Sequence, residues 1–171
     1  MKNVVEVKKA QNETDFSLAK ELVLEYVEWL AMSGGTEVRA ILSSQNFDKE
    51  MGTMPLTYSS PDGGIFIALI NDRAVGVAGI KRFNESECEL KRMYVKDEGR
   101  GLGIGKILLT ECIKLARELN YQTIKLDTLG FMKPAIKLYT DNGFVEISAY
   151  RNNTHKDAKY FELDLKSGSE L

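Results

Sequence analysis

The stretch RGLGIGK, from Arg100 to Lys106, places three glycines at alternate positions between two cations, directly before an amphipathic helix. Glycine has no Cβ, so its backbone can approach a ligand closely and adopt positive φ. A helix N-terminus presents N–H groups without intrahelical acceptors, together with a partial positive charge. The stretch therefore predicts an anion site between a strand and a helix, and phosphate is the anion that such sites most often bind.

Two familiar phosphate-binding patterns do not fit this stretch. The Rossmann pattern G-x-G-x-x-G requires a third glycine where Lys106 stands. The P-loop pattern requires glycine at position 100 and a hydroxyl at position 107, where the chain has Arg and Ile. What remains is Arg-x-x-Gly-x-Gly, read at Arg100, Gly103 and Gly105. Alone, this pattern also fits a structural turn, so its meaning depends on the motifs around it.

The hydrophobic pattern predicts one mixed α/β domain over residues 1–171, with a frayed tail at 165–171. Apolar residues at three- and four-residue steps predict helices at 16–30, 47–51, 106–120 and 133–142. Alternating or continuous apolar runs predict strands at 4–7, 65–70, 74–83, 88–95, 123–129, 144–150 and 159–165. The turn-rich segment 55–64 is predicted to be a loop.

Charge and composition exclude several classes of protein. The net charge is −2, from 23 basic and 25 acidic residues, so no nucleic-acid partner is expected. No apolar run is long enough for a membrane span and no signal peptide is visible, so we expect a cytoplasmic protein without a membrane partner. Cys88 and Cys112 lack metal-binding spacing, so no metal site is expected. Without a Ser/His or Cys/His pair, a covalent nucleophile is not expected either.

Further motifs follow the glycine loop at defined distances. They are LDTL at 126–129 on a strand, Ala135 and Tyr139 on a helix, and Gly143-Phe144 before a strand. Together with ELKRMYVKDEGRGLGIGKILL at 89–109, they resemble the GNAT superfamily of acyl-CoA-dependent N-acetyltransferases, in its bacterial single-domain branch. The resemblance implies a central, mostly antiparallel sheet with one splayed pair of parallel strands and helices on both faces. It also implies a bulge in the strand before the loop.

The resemblance implies acetyl-CoA as the co-substrate, with its pyrophosphate on the backbone N–H groups of 102–106. The peptide-like pantetheine arm would pair with the backbone of Met93, Tyr94 and Val95, on the strand before the loop, as an added strand does. Arg100 either attracts the phosphates or braces the loop. The cofactor-binding residues so implied are Met93, Tyr94, Val95, Arg100, Gly101, Leu102, Gly103, Ile104, Gly105 and Lys106.

The family's reaction is direct attack of a primary amine on the thioester within a ternary complex. An ammonium group, with a reference pKa of about 10, must lose a proton before it attacks, so a base is required. Glu89 matches the glutamate base of the histone acetyltransferase branch, and Asp127 and a water chain are the alternatives. Otherwise Glu89 is a surface carboxylate paired with Lys91 or Arg92. Tyr139 matches the family's tyrosine that protonates the leaving thiolate; its other interpretation is a core aromatic.

Two positions depart from a simple transfer of the family pattern. Met132 stands where many relatives have an Asn that bonds the pantetheine region, and Met makes that contact poorly. His155, the single histidine, lies in the polar stretch RNNTHKDAK and is expected in a solvated loop.

The acceptor is a small-molecule amine or a peptide amine, and the sequence does not distinguish between them. Its pocket is expected around residues 26–60 and 148–160, where Trp29, Tyr58 and Tyr150 either line it or belong to the core. The alternative function is a non-catalytic, acyl-CoA-binding regulatory module. The oligomeric state stays open, with a homodimer as one alternative.

Overall fold

The computed structural model describes residues 2–34, 46–152 and 155–166. Within them the strands are β1 (Val5–Lys9), β2 (Gly64–Ile70), β3 (Arg73–Arg82), β4 (Glu87–Val95), β5 (Thr123–Leu129), β6 (Val145–Ile147) and β7 (Ala158–Asp164). The α-helices are α1 (Glu13–Gly34), α2 (Phe47–Gly52), α3 (Met54–Thr57), α4 (Ile104–Glu118) and α5 (Lys133–Asp141), and a short 3-10 helix spans Asp97–Gly99.

The strands form one sheet in the order β1-β2-β3-β4-β5-β7-β6. Every neighbouring pair is antiparallel except β4 and β5, which run parallel. Because side chains alternate along a strand, β2 contributes side chains to two hydrophobic cores, one on each face of the sheet. Phe66 and Ala68 pack on the face that α4 covers, and Ile65 and Ile67 pack on the face that α1 covers. The predicted mixed α/β fold, with helices on both faces, is confirmed.

The two parallel strands separate after a short stretch of pairing. Within these strands, the paired residues run from Glu87 opposite Thr123 to Glu89 opposite Lys125. Beyond that point β4 pairs only with β3. The structure therefore contains the splayed pair that the resemblance implies.

A bulge in β4 accompanies this separation. Tyr94 pairs with Val77 and Lys91 pairs with Gly79, so two residues of β4 lie opposite one residue of β3. Arg92, inside the bulge, has a φ of 62°, which is unusual for a residue with a Cβ.

Local sequence signals explain most element boundaries. Asn12 caps α1, because its Oδ1 accepts the N–H of Asp15 at 2.9 Å. Gly143 ends α5 with a φ of 94°, and the N–H of Phe144 donates to the carbonyl of Tyr139 at 3.0 Å, the pattern of a Schellman C-cap.

Two sequence-based expectations need correction. The segment predicted as a loop begins inside α3, where Pro55 occupies the first turn and no intrahelical N–H is needed. Leu165, assigned to a frayed tail, is buried, and its N–H donates to the carbonyl of Gln122 at 2.9 Å. Residues 167–171 of that tail lie outside the described residues.

Candidate active site

A cleft of about 520 Å³ opens where β4 and β5 separate. Its volume is in the range of small-molecule sites. The glycine loop, the end of β4, α1 and the start of α5 all contribute to its lining. Nine of the ten predicted cofactor-binding residues line it: Met93, Tyr94, Val95, Arg100, Gly101, Gly103, Ile104, Gly105 and Lys106.

The glycine loop has the positive-φ backbone conformation that its sequence predicts. Gly101 and Gly103 have φ values of 79° and 75°, so the loop depends on the freedom of glycine at both positions. A Cβ on either residue would have no atom within 4 Å, which means that space beside this backbone is open. Gly103 is the N-cap of α4, and the N–H groups of 104–106 lie in the helix's first turn.

Three side chains of this loop, those of Arg100, Lys106 and Leu102, contribute differently. Arg100 braces it, because Nε donates to the carbonyl of Val95 at 3.2 Å and Nη1 lies 2.9 Å from Asp97 Oδ1. Its guanidinium also lies over the Trp29 ring, 5.8 Å from the centroid. Lys106 is exposed at the cleft and has no ion-pair partner among the described residues. Leu102 is 43% exposed and does not line the cleft.

The edge of β4 facing the cleft is free of strand pairing from Leu90 onward, because β5 has separated from it. The backbone of Met93 to Val95 therefore offers N–H and carbonyl groups to a peptide-like ligand. Met132 also lines the cleft, and its Sδ accepts a weak hydrogen bond from Thr128 Oγ1 at 3.6 Å. It therefore supplies the cleft with a thioether where many relatives have an amide.

Aromatic rings form the wall of the cleft on the α1 side. Tyr26 stacks on Trp29 with 6.4 Å between ring centroids and on Tyr94 with 5.4 Å. Trp29 also approaches Phe131, which comes from the loop after β5, at 6.5 Å. Trp29 thus lines this cleft, and its expected place in the acceptor pocket stays a prediction.

Glu89 is buried at the point where β4 and β5 separate, with 1% of its surface exposed. Its Oε2 accepts the Tyr150 hydroxyl at 2.9 Å, and its Oε1 lies 2.5 Å from Arg151 Nη2. The partners expected from the sequence, Lys91 and Arg92, are not those the structure shows. Tyr150 and Arg151, from the segment after β6, instead contact this carboxylate.

Asp127, the alternative base, lies on the neighbouring strand in a second buried pair. Lys91 Nζ is 3.8 Å from Asp127 Oδ1, and both side chains are buried. Burial lowers the pKa of Lys91 to about 8, and the attraction of Asp127 opposes part of that shift.

Tyr139 is buried in the core that α4 covers, and its ring contacts Phe144 and Phe161. Its helix neighbours Ala135 and Leu138 line the cleft, whereas Tyr139 itself does not. Burial raises the pKa of Tyr139 far above its usual value, and the neighbouring Tyr26 adds to that shift. The hydroxyl is therefore protonated at neutral pH.

Comparisons with known proteins agree with this geometry. The sequence profile of the acetyltransferase (GNAT) family matches residues 26–144. The chain belongs to the acetyltransferase (GNAT) family. It is 33% identical over 161 residues to an uncharacterized N-acetyltransferase of Schizosaccharomyces pombe, with 93% of this chain and 92% of that protein covered. The family and this relative identify an acetyl-CoA-dependent N-acetyltransferase.

Solved structures show the same fold. A GNAT-family acetyltransferase from Staphylococcus aureus superposes with a TM-score of 0.73 at 23% identity, covering 95% of this chain and 99% of that one. The PaiA N-acetyltransferase of Thermoplasma acidophilum, solved in complex with coenzyme A, has a TM-score of 0.69 at 20% identity, covering 94% and 99%.

This acetyltransferase also contains a buried ionic cluster that the sequence analysis missed. Arg92 Nε donates to Glu50 Oε2 at 2.8 Å, and Lys81 Nζ lies 3.2 Å from Glu50 Oε1. Burial alone would raise the pKa of Glu50, but Arg92 and Lys81 outweigh it and lower that pKa to about 2. Tyr58 lies within reach of their charges and is buried. Charged residues inside predicted strands and helices were the available signal, since they are rarely buried unless paired.

The remaining sequence-based site predictions have mixed outcomes. His155 is buried rather than solvated, and its Nδ1 accepts the N–H of Asp157 at 3.0 Å. Parts of the expected acceptor pocket, 35–45 and 153–154, lie outside the described residues. No cluster of three or more metal-ligating side chains occurs in the part of the chain that the structure describes. In that same part, no helix has the length and apolarity to cross a bilayer.

Proposed function

We propose that this acetyltransferase transfers the acetyl group of acetyl-CoA to a primary amine by direct attack within a ternary complex. The observation that carries the proposal is the cleft, which joins an open strand edge to a helix N-terminus with a glycine loop. The loop amides would hold the pyrophosphate, and the backbone of 93–95 would pair with the pantetheine arm. This arrangement would place the thioester beside the bulge of β4.

In the proposed reaction, the neutral amine nitrogen attacks the thioester carbonyl carbon. The C–S bond then breaks, the thiolate of coenzyme A takes up a proton, and the nitrogen gives up a proton to a base. Burial raises the pKa of Cys88 to about 12, so this thiol stays protonated at neutral pH and is unsuited to form an acyl-enzyme. That property supports direct attack.

For the base we propose one of the two buried carboxylates, Glu89 or Asp127, with a water chain as the remaining alternative. Neither carboxylate is exposed, so proton transfer from the amine would pass through a bridging group. The Tyr150 hydroxyl, bonded to Glu89, is one such group. For the acid we propose Tyr139, because its helix neighbours Ala135 and Leu138 line the cleft and its hydroxyl could donate a proton to the leaving thiolate.

The experiment that tests the function is an acetylation screen of primary amines with mass detection, combined with calorimetry of acetyl-CoA binding. We expect acetyl-CoA to bind and at least one amine to be acetylated. Binding of acetyl-CoA without transfer to any amine class would favour the alternative, a non-catalytic acyl-CoA-binding module.

The proposed base is tested by Glu89→Gln, with Glu87→Gln as the matched control two residues earlier on β4. Glu87 lies 3.2 Å from Lys125 Nζ, in the part of β4 that is still paired with β5. We expect Glu89→Gln to lower activity most at low pH, where amine deprotonation is hardest, and to leave acetyl-CoA affinity nearly unchanged. A pH–rate profile that overlays the parental one would assign the base to Asp127 or water.

A cytoplasmic location and a homodimer remain predictions. Cys88 and Cys112 are both free and buried, which supports a reducing compartment. Size-exclusion chromatography with light scattering tests the dimer.

A further inference from the structure

Three buried side-chain atoms have no hydrogen-bond partner within the described residues: Tyr58 Oη, Arg92 Nη2 and Arg151 Nε. All three are groups that donate hydrogen bonds. Buried polar groups are nearly always satisfied in folded proteins, and an unsatisfied guanidinium N–H is especially costly. Unpaired donors of this kind call for an acceptor that is not part of the described chain.

The charges around these atoms favour an anion as that acceptor. On this side of β4 the buried and half-buried ionic side chains include four cations, Lys81, Lys91, Arg92 and Arg151, and three carboxylates, Glu50, Glu89 and Asp127. Each carboxylate is already paired with at least one of these cations. The net charge of +1 therefore resides on groups that include the unpaired donors.

Arg92 is held firmly in place. Its Nε is fixed by Glu50, and its guanidinium lies over the Phe47 ring with 5.0 Å to the centroid. Tyr58, 1% exposed, is close enough for the charges of Glu50 and Arg92 to act on its hydroxyl, but that hydroxyl forms no hydrogen bond with adequate geometry. Arg92 Nη2 and Tyr58 Oη thus form a rigid pair of donors.

This pair lies next to the proposed reaction centre. Arg92 is the bulge residue of β4, and the next residues, Met93 and Tyr94, line the cleft. Tyr26, which also lines the cleft, is near enough for the charge of Arg92 to affect its phenol.

We propose that the acceptor is an amine that also carries a carboxylate, as an amino acid does, and that Arg92 and Tyr58 bind this carboxylate. The inference rests on the proposed function and narrows its acceptor. A guanidinium and a carboxylate match in geometry and charge, and the hydroxyl completes the set of donors. Polyamines and other purely cationic acceptors are disfavoured, because they would leave the donors unpaired and add positive charge.

The test compares matched pairs of amines that differ by the carboxylate: lysine with cadaverine, phenylalanine with phenethylamine, and tryptophan with tryptamine. Coenzyme A release is measured for each member with acetyl-CoA at saturation. For the pair that the enzyme accepts, we expect kcat/KM for the carboxylate-bearing member to be higher by about 10²-fold or more, as for other sites whose buried polar groups demand a partner. Equal or better use of the decarboxylated members would overturn the proposal.

Tyr58→Phe removes one donor without breaking any hydrogen bond of the described chain. We expect it to lower kcat/KM about tenfold for the carboxylate-bearing amine and to leave that of the decarboxylated amine and the affinity for acetyl-CoA unchanged. Tyr121→Phe is the matched control, because that hydroxyl donates to the carbonyl of Asp62 at 2.6 Å, away from the cluster. An equal fall in kcat/KM for both members of a pair would show that Tyr58 does not bind the carboxylate.

Failure of the proposed function is visible separately, as no coenzyme A release with any amine although acetyl-CoA binds. The carboxylate site is then judged by binding alone, with N-acetyl-phenylalanine and N-acetyl-lysine as probes in the presence of coenzyme A. A rise in the melting temperature of the parental protein that Tyr58→Phe diminishes supports the site. No rise for either probe overturns it.

Discussion

Strand β4 serves two regions of this acetyltransferase in opposite ways. Toward β5 it presents the backbone of Met93 to Val95 to an open cleft with aromatic and glycine walls. Toward α2 it presents the side chain of Arg92 to a buried network that includes Glu50 and Lys81. In the proposals above, the cleft would bind its ligand through main-chain groups and the ionic cluster through side chains.

The difference suggests a division of labour between cofactor and acceptor. Backbone recognition tolerates changes of side chain, which suits a cofactor shared by a whole family. Side-chain recognition changes with each substitution, which suits an acceptor that differs between relatives. The bulge joins the two regions, because it turns Arg92 out of the regular alternation of the strand.

The largest effect is expected from Arg92→Met, which removes the guanidinium charge from the buried ionic cluster. Removing one partner of a buried ion pair typically costs 3–5 kcal/mol. We expect a loss of about 3 kcal/mol in the free energy of unfolding, near the lower end because Lys81 still pairs with Glu50. Urea denaturation measures the change.

The matched variant for this prediction is the double substitution Glu50→Leu with Arg92→Met. It removes both buried charges, so most of the lost stability should return. Acetyl-CoA affinity should change little in either variant once the protein is folded. A single Arg92→Met variant as stable as the parent would show that the pair is not effectively buried.

Gly103→Val tests whether the main chain of the glycine loop binds acetyl-CoA. A β-branched residue at a φ of 75° is strongly strained, and its side chain would occupy the open space beside the loop amides. Loss of one or two hydrogen bonds to a charged phosphate costs about 3 kcal/mol, so acetyl-CoA affinity should fall about 10²-fold. Calorimetry measures it.

Gly52→Ala is the control for this substitution. Gly52 lies at the end of α2, has no positive φ, and a Cβ there would meet no atom within 4 Å. Its acetyl-CoA affinity should equal that of the parent. Unchanged affinity in a folded Gly103→Val variant would remove the loop from the cofactor site.

The difference between the cleft and the ionic cluster also explains which features could be predicted from the sequence. The glycine loop, α4 and the strands around them are encoded in contiguous stretches, so periodicity and motif spacing predicted them. The ionic contacts join distant parts of the chain: Arg92 and Glu50 are 42 residues apart, and Arg151 and Glu89 are 62 apart. No local pattern specifies which buried cation meets which carboxylate. His155 was wrongly expected in solvent for the same reason, since its polar neighbours in sequence are not its surroundings in space.

Tyr139→Phe asks whether α5 contributes chemistry to the cleft or only packing. The ring would still contact Phe144 and Phe161, so the free energy of unfolding should change by about 0.5–1.5 kcal/mol, the scale of one hydrogen bond. If the hydroxyl assists the leaving thiolate, kcat should fall roughly tenfold, the lower value reflecting water as a substitute donor. Acetyl-CoA affinity should stay nearly the same. Steady-state kinetics with an accepted amine measures the change, and a parental kcat would make Tyr139 a core residue alone.

The smallest effect is expected from Lys106→Ala, which separates side-chain charge from backbone amides within the cleft itself. Lys106 is exposed, so its attraction for a phosphate is screened by solvent and contributes about 0.5–1 kcal/mol. Acetyl-CoA affinity should therefore fall only about two- to fivefold at low salt. The loss should disappear at 1 M salt, where the Debye length is about 3 Å.

The matched control is Lys114→Ala, because Lys114 is exposed on the same helix α4 but lies outside the cleft. This variant should show no loss of acetyl-CoA affinity at either salt concentration. A salt-independent loss near 10²-fold would instead mean that the Lys106 ammonium, and not the loop amides, holds the phosphate.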